Sequence, residues 1–219
     1  MKLGAITIGQ APRQDILAGI LCELPRGIDV VECGALDDVT EEELASATSA
    51  PGAHPLVTRL RSGRAVLVGE AFIAPRVARL VQRLESEVEL VLVLCTGSFP
   101  DHGSRVPVLY PERVLANFVR ATGAARIGVL TPAEAQRNDQ LERWRRIVPE
   151  VIVEAASPYE QPGALDAAAR RLAAQRIDVV AMDCMGYTIE MKQRVRSVVG
   201  RPVLLAQSSL GRVVAELLG

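Results

Sequence analysis

The chain has 219 residues, 49% hydrophobic and 23% charged, which is enough to bury a core in one large or two small domains and excludes a disordered chain. Its 25 Lys and Arg against 26 Asp and Glu give a net charge of −1, without the basic surplus that phosphate binding requires, so we expect no nucleic-acid partner. No apolar run approaches the roughly 20 residues that span a bilayer, and the start of the chain shows no secretory pattern, which predicts a cytoplasmic protein with no membrane partner.

Short apolar runs alternate with amphipathic helical stretches along almost the whole chain. The runs that predict strands are, in chain order, residues 3–8, 29–33, 65–68, 90–94, 106–110, 126–130, 151–154, 178–182 and 202–205. The run over 90–94 is apolar on both faces, as in a strand buried between two layers of helices. Strand and helix in such alternation predict an α/β fold built on doubly wound parallel sheets.

A faint internal repeat divides the chain into two halves. Residues 3–9 resemble residues 127–131, and each segment is followed by a proline and a helix. Each half later has a buried strand that ends in a cysteine and a glycine, in segments 94–97 and 183–186. The repeat predicts two similar Rossmann-like domains with a cleft between them, and the alternative is one sheet with decorations.

The predicted domains are residues 1–115 and residues 116–206. The first carries a long insertion, 34–63, which we interpret as a lid over the cleft or as a dimer arm. A C-terminal helix over 207–219 is expected to pack back on the first domain.

Four cysteines are the main candidates for chemistry. Cys95 and Cys184 follow late strands, at the edge of a parallel sheet where ligands bind, and each precedes a turn whose amides can face an anion. Such amides would lower the pKa of a thiol. Cys22 is expected in the core on a helix over 13–24, and Cys33 ends the second strand. No C-x-x-C pair is present and there are two histidines, so no zinc site is predicted.

Three segments resemble the AroM family and, more distantly, the aspartate/glutamate/hydantoin racemase superfamily. They are the opening motif over 6–13, the motif over 182–187 and the ending over 202–205 and 215–218. The resemblance covers essentially the whole chain. It implies two α/β domains with an active site between them, a homodimer, no cofactor, and one cysteine from each domain.

In that superfamily one thiolate removes the proton next to a carboxylate, and the opposite thiol returns a proton to the other face. By resemblance, the catalytic pair is Cys95 and Cys184. The residues expected to bind the substrate carboxylate are Gly9, Gln10, Arg13, Thr96, Gly97, Ser98, Thr131, Met185, Gly186, Tyr187 and Thr188. Donors are needed there because negative charge develops on the carboxylate during proton removal.

Several of these residues also have structural interpretations. Arg13 is either a cation for the carboxylate or a solvated residue in the first turn of a helix. Thr131 either donates its hydroxyl to the ligand or caps the helix that follows Pro132. His102 either assists Cys95 or lies on the surface, and Asp183 is expected to have a structural or hydrogen-bonding role.

The residues after the two cysteines differ from those of amino-acid racemases, which argues against amino-acid substrates. Racemases of the superfamily usually show Asn and Thr after the first cysteine and Thr after the second. This chain has Thr96 and Gly97 at the first site and Met185 at the second.

The sequence is therefore compatible with three functions. The first is a cofactor-independent racemase, epimerase or isomerase of a small carboxylate that uses both thiols. The second is a one-cysteine enzyme that resembles maleate isomerase or a decarboxylase. The third is a non-catalytic binding or regulatory protein linked to aromatic amino-acid biosynthesis.

Overall fold

A computed structural model describes residues 1–25, 27–49 and 54–218. Part of the predicted insertion, residues 50–53, and the last residue of the predicted C-terminal helix lie outside the described residues. The strands are β1 (Lys2–Thr7), β2 (Asp29–Gly34), β3 (Pro55–Arg59), β4 (Ala65–Gly69), β5 (Leu90–Val93), β6 (Val108–Leu109), β7 (Arg126–Thr131), β8 (Glu150–Ala155), β9 (Val179–Met182) and β10 (Val203–Leu205). The helices are α1 (Gln14–Leu21), α2 (Glu41–Ser49), α3 (Glu70–Leu84), α4 (Pro111–Ala121), α5 (Arg137–Arg145), α6 (Pro162–Ala173), α7 (Ile189–Val199) and α8 (Ala206–Leu218), with a 3-10 turn over Glu134–Gln136.

Two four-stranded parallel sheets form the framework. Their strand orders are β2-β1-β5-β6 and β10-β9-β7-β8. Read from opposite edges, the two orders match, so that β1, β2, β5 and β6 correspond to β7, β8, β9 and β10. The predicted α/β class and the two similar halves are therefore confirmed.

Close helix packing explains why both halves have a glycine at the equivalent position of the central strand. A Cβ on Gly4 would lie 3.0 Å from the Leu84 side chain of α3, and one on Gly128 would lie 3.1 Å from Leu172 of α6. In each half the missing side chain lets a helix pack closely on the central strand.

The two halves share one core. Side chains of the first sheet, such as Leu92, pack in the same apolar cluster as Ile127 and Val179 of the second sheet and the fully buried Trp144 of α5. Helix α8 packs against α1 and α4, and α4 also contacts β9 and β10. The predicted boundary between residues 115 and 116 falls inside α4, and the domain division stays a prediction.

The insertion and the strand after it differ from the sequence prediction. Residues 65–68 were expected in a parallel sheet, but among the described residues β4 pairs only with β3, in an antiparallel hairpin of its own. Strand β3 was not predicted, because Pro55 and the turn-forming residues before it favour a loop. Its pattern of buried and half-buried residues nevertheless follows the two-residue period of a strand.

No helix in the described ranges is long and apolar enough to cross a membrane.

Candidate active site

In each half a cysteine lies two residues after the third strand of the sheet, and its sulfur faces its own turn. After β5, the Gly97 N–H donates to Cys95 Sγ at 3.2 Å, and after β9 the Gly186 N–H donates to Cys184 Sγ at 3.3 Å. Both residues are buried, Cys95 at 9% and Cys184 at 7% exposure. The two halves of the fold therefore present the same thiol–amide unit.

The pKa of these thiols moves opposite to the sequence expectation. Burial raises the pKa of Cys95 and of Cys184 to about 12, and the amide hydrogen bond from Gly97 or Gly186 opposes this rise without cancelling it. The nearby Asp183 carboxylate acts in the same direction as burial. Without a ligand, both thiols are therefore protonated near neutral pH.

The two thiols line one cavity of about 300 Å³, which lies at the carboxyl ends of the strands of the two sheets. Six of the eleven predicted substrate-binding residues also line it: Arg13, Thr96, Gly97, Ser98, Met185 and Gly186. The topology explains this arrangement, because β5 and β9 are equivalent strands whose ends meet at the same cleft.

A hydrogen-bonded cluster joins the two cysteine turns. Thr96 Oγ1 donates to the Asp183 carbonyl oxygen at 3.2 Å, and Arg143 Nη1 donates to the Thr96 carbonyl oxygen at 2.8 Å. The Asp183 carboxylate is fully buried and accepts from Arg143 Nη2 and, at 2.7 Å, from Trp144 Nε1. Asp183 thus has the predicted hydrogen-bonding role, and the sequence did not indicate its partner Arg143.

Arg13 is a buried residue, with 4% exposure, and is not solvated. Its Nε and Nη2 donate to the two carboxylate oxygens of Asp15, each at 2.9 Å, and Nη2 also donates to the Tyr159 hydroxyl oxygen at 2.9 Å. Tyr159 lines the cavity and was not predicted. It lies in a turn after β8 that carries no sequence pattern typical of a site.

Strand β3, at the end of the insertion, forms part of one wall of the cavity. Residues 55–58 of β3 line it, and the Pro55 carbonyl oxygen accepts from Gln136 Nε2 at 2.9 Å. The exposed His54 lies 3.0 Å from the Asp139 carboxylate of α5, which raises the pKa of the imidazole. Residues 54–58 of the insertion therefore belong to the cavity wall, and the lid and the dimer arm both stay predictions.

Thr58, a residue of this wall, has an unsatisfied hydroxyl. The residue is 2% exposed, and Oγ1 has no hydrogen-bond partner among the described residues. A buried polar atom without a partner is costly. This oxygen packs beside Gly9, where an added Cβ would lie 2.4 Å from it, and is not exposed to the cavity.

Five predicted substrate-binding residues do not line the cavity, because their groups serve the fold. Two of them belong to the first half. A Cβ on Gly9 would lie 2.4 Å from the Arg59 carbonyl oxygen, so Gly9 permits close backbone packing. The Gln10 side chain donates to the Leu36 carbonyl oxygen and accepts from the Arg61 N–H.

The other three belong to the second half. Thr131 is fully buried, and its hydroxyl donates to Gln136 Oε1 at 3.4 Å. The Tyr187 hydroxyl donates to the Ala156 carbonyl oxygen at 2.6 Å inside the core. Thr188 caps α7 by accepting from the Met191 N–H at 3.3 Å.

Three further candidates lie outside the cavity. Cys22 is exposed at the end of α1, which corrects the prediction of a core position, since the helix is shorter than expected and turns this thiol outwards. Cys33 is buried, and burial raises its pKa to about 11. His102 is half-buried beside Tyr110 and does not line the cavity. No cluster of possible metal ligands occurs within residues 1–25, 27–49 and 54–218.

Comparison with solved structures shows the fold of a known group of enzymes. Allantoin racemase from Pseudomonas fluorescens matches with a TM-score of 0.67 and 16% identity, over 100% of this chain and 90% of that one. Maleate isomerase from Pseudomonas putida S16 matches with a TM-score of 0.63 and 15% identity, over 99% and 92%. Glutamate racemase from Aquifex pyrophilus matches with a TM-score of 0.61 and 15% identity, over 100% and 84%. An aspartate racemase and arylmalonate decarboxylase have the same fold.

A search of curated proteins gives no match. The family model described as AroM protein matches residues 3–218, almost the entire sequence. The chain therefore belongs to the AroM family, and its fold is similar to that of allantoin, glutamate and aspartate racemases.

Proposed function

We propose that the chain is a cofactor-independent racemase, epimerase or isomerase of a small carboxylate, with Cys95 and Cys184 as its two acid/base groups. The observation that carries the proposal is that two equivalent strands bring two thiols to one cavity. Racemisation needs one deprotonated and one protonated group on opposite faces of a single carbon. The similarity to racemases and isomerases supports the same reaction class.

Each turnover would move one proton across the substrate. A thiolate takes the proton from the carbon next to the carboxylate, and the electron pair of the broken C–H bond passes into the carboxylate as an enediolate. The opposite thiol then gives its proton to the other face of the carbon, and its sulfur becomes the thiolate. The pKa of about 12 means that little thiolate forms near neutral pH, but the thiolate that does form is a strong base for a weakly acidic C–H.

Most polar groups around the cavity are already engaged within the protein. Two arginines of the cavity are already paired, the buried Arg13 with Asp15 and the half-buried Arg143 with Asp183, and the exposed Arg146 also lines the cavity. The Gly97 and Gly186 amides and the Thr96 hydroxyl also have partners in the protein. The fit is therefore better for a substrate with one carboxylate than for one that needs several unpaired cations.

A second reaction on the same scaffold needs only one of the thiols. The similarity to maleate isomerase and arylmalonate decarboxylase is the observation that favours it. In that case one cysteine attacks or protonates the substrate, and removal of the other thiol leaves activity in place.

Proton NMR in heavy water tests the proposal. The protein is incubated with pools of amino acids, hydroxy acids and shikimate-type acids, and the loss of α-proton signals is followed. We expect exchange that Cys95→Ser and Cys184→Ser each abolish, whereas Cys22→Ser, which alters an exposed thiol outside the cavity, retains it. No exchange in any pool, together with a carboxylate that raises the melting temperature, would instead support a binding protein.

Two further proposals concern the cellular compartment and the oligomeric state of the protein. The four cysteines are free thiols, which is in keeping with a reducing cytoplasm. The resemblance to the racemase superfamily favours a homodimer, and light scattering would measure its mass.

A further inference from the structure

Tyr159 lies where the cavity, Arg13 and the turn after Cys184 meet. Its side chain lines the cavity, its oxygen accepts from Arg13 Nη2 at 2.9 Å, and it lies against the turn that follows Cys184. A Cβ on Gly186 would come within 2.5 Å of the Tyr159 hydroxyl oxygen, and the Gly186 N–H donates to Cys184 Sγ. The hydroxyl, the amide and the thiol therefore meet at one place.

The hydroxyl is oriented by a rigid cation. Asp15 binds the Arg13 guanidinium through two hydrogen bonds of 2.9 Å, which fixes the plane of the guanidinium. Because Arg13 donates to the hydroxyl oxygen, the hydroxyl proton must point elsewhere. Among the described residues it has no acceptor, so it is available to a ligand in the cavity.

We infer that the Tyr159 hydroxyl donates a hydrogen bond to one oxygen of the substrate carboxylate on the Cys184 side of the cavity, with Arg13 as its positioning residue. The inference rests on the proposed function, and it makes Tyr159 a catalytic residue. Negative charge grows on that oxygen when the neighbouring carbon loses its proton, and a fixed donor stabilises the charge as it develops.

Tyr159 keeps its proton in this role. Burial raises its pKa above the ordinary value for tyrosine, and the nearby Cys184 adds to the effect, so the hydroxyl acts as a hydrogen-bond donor and does not transfer its proton. Arg13 then acts through Tyr159, which differs from the sequence expectation of a direct ion pair with the carboxylate.

Alkylation of the cysteines tests this inference without knowledge of the substrate. Iodoacetate carries a carboxylate next to its reactive carbon, and iodoacetamide is its neutral counterpart. In both reactions the sulfur forms a bond to that carbon, iodide leaves and the thiol proton passes to solvent. Mass spectrometry of the digested protein gives the two rates at Cys184, and the exposed Cys22 supplies the intrinsic ratio of the reagents in the same sample.

We expect Cys184 to prefer iodoacetate by about tenfold to a hundredfold relative to Cys22, the range of one hydrogen bond to a charged group. Tyr159→Phe should abolish this preference and leave the iodoacetamide rate unchanged. Tyr110→Phe is the matched control, since its hydroxyl bonds the Pro100 carbonyl oxygen away from the cavity. An equal preference in Tyr159→Phe and in the wild type, or no preference in the wild type, would overturn the inference.

Two further results separate this inference from the proposed function. If Tyr159→Phe does not fold, Arg13→Lys replaces it, and a partial loss of the preference is expected because the lysine keeps the charge without the planar geometry. A Tyr159-dependent preference in a protein that exchanges no α-proton would support the inference and contradict the proposed proton transfer. If Tyr159→Phe and Arg13→Lys both keep the full rate of α-proton exchange and the full iodoacetate preference at Cys184, the inference is contradicted and the proposed function is not.

Discussion

Thr96 Oγ1 donates to the Asp183 carbonyl oxygen at 3.2 Å, so the residue that follows one cysteine is bonded to the residue that precedes the other. Arg143 reinforces the link from α5, because it donates to the Thr96 carbonyl oxygen and pairs with the Asp183 carboxylate. The spacing of the two thiols is therefore set by direct bonds between the two cysteine turns, in addition to the packing of the two halves.

Removal of the Thr96 hydroxyl should affect activity more than stability. Thr96→Val keeps the shape of the side chain and loses one hydrogen bond, which costs about 1 kcal/mol of folding free energy. We expect the exchange rate to fall by at least tenfold, because the turns that hold the thiols can then shift. Urea unfolding and exchange rates measure the two effects.

The control is Thr122→Val, since the Thr122 hydroxyl donates to the Val119 carbonyl oxygen and accepts from the Ala124 N–H, both away from the cavity. It should lose at least as much stability as Thr96→Val without loss of activity. Equal activities for the two variants would contradict the proposed role of the link.

Alkaline pH should destabilise the protein through its two cavity thiols. Their pKa of about 12 in the fold compares with about 8.5 in an unfolded chain, so the unfolded chain loses these protons first as the pH rises. Stability is then lost by up to about 1.4 kcal/mol per pH unit for each thiol above pH 8.5. Urea unfolding at a series of pH values measures the slope.

The double variant Cys95→Ala, Cys184→Ala should show a shallower slope than the wild type over this range. Identical slopes would mean that burial does not hold these thiols in their protonated form.

The two turn glycines should respond differently to a methyl group. In Gly186→Ala the new carbon lies 2.5 Å from the Tyr159 hydroxyl oxygen and 2.8 Å from Pro158 Cγ, and we expect a loss of about 1–3 kcal/mol. In Gly97→Ala it lies 2.9 Å from Leu56 Cδ2, the end of a flexible side chain, and the loss should be smaller. Thermal unfolding compares the two variants, and the reverse order would show that Tyr159 does not pack against this turn.

Removal of the unsatisfied Thr58 hydroxyl should not destabilise the fold. Thr58→Val keeps the volume of the side chain and removes a buried polar atom that has no partner among the described residues, so stability should be unchanged or slightly raised. KM should also be unchanged, because the oxygen packs beside Gly9 and is not exposed to the cavity. Urea unfolding measures the stability, and a destabilised variant would show that the hydroxyl has a partner in the fold.

The sequence predicted the elements whose signal is local. Apolar runs located nine of the ten strands, and the repeat at Gly4 and Gly128 indicated the two matching halves that the topology confirms. The aligned cysteines could be found for the same reason, since a residue at the end of a buried strand is recognised from that strand alone.

The rest of the site depends on contacts between distant segments. Tyr159 and Arg13 are 146 residues apart, and Arg143 and Asp183 are 40 apart, so no local pattern reveals either pair. Strand β3 begins at Pro55, and a proline at this position favours the prediction of a loop. The sequence also predicted a lowered pKa for the two thiols, whereas the structure gives a raised one. The sign of the shift depends on whether the effect of burial exceeds that of one amide hydrogen bond, and the sequence does not show this.

The most direct test of the central claim uses each pure enantiomer of an exchanging substrate in heavy water. Two opposed thiols predict that, early in the reaction, deuterium is present in the inverted product and absent from the recovered substrate. The proton removed stays on one sulfur while the other delivers a deuteron. Deuterium that enters the recovered substrate as fast as the product would show a single base, and would contradict the account in which Cys95 and Cys184 work on opposite faces of one carbon.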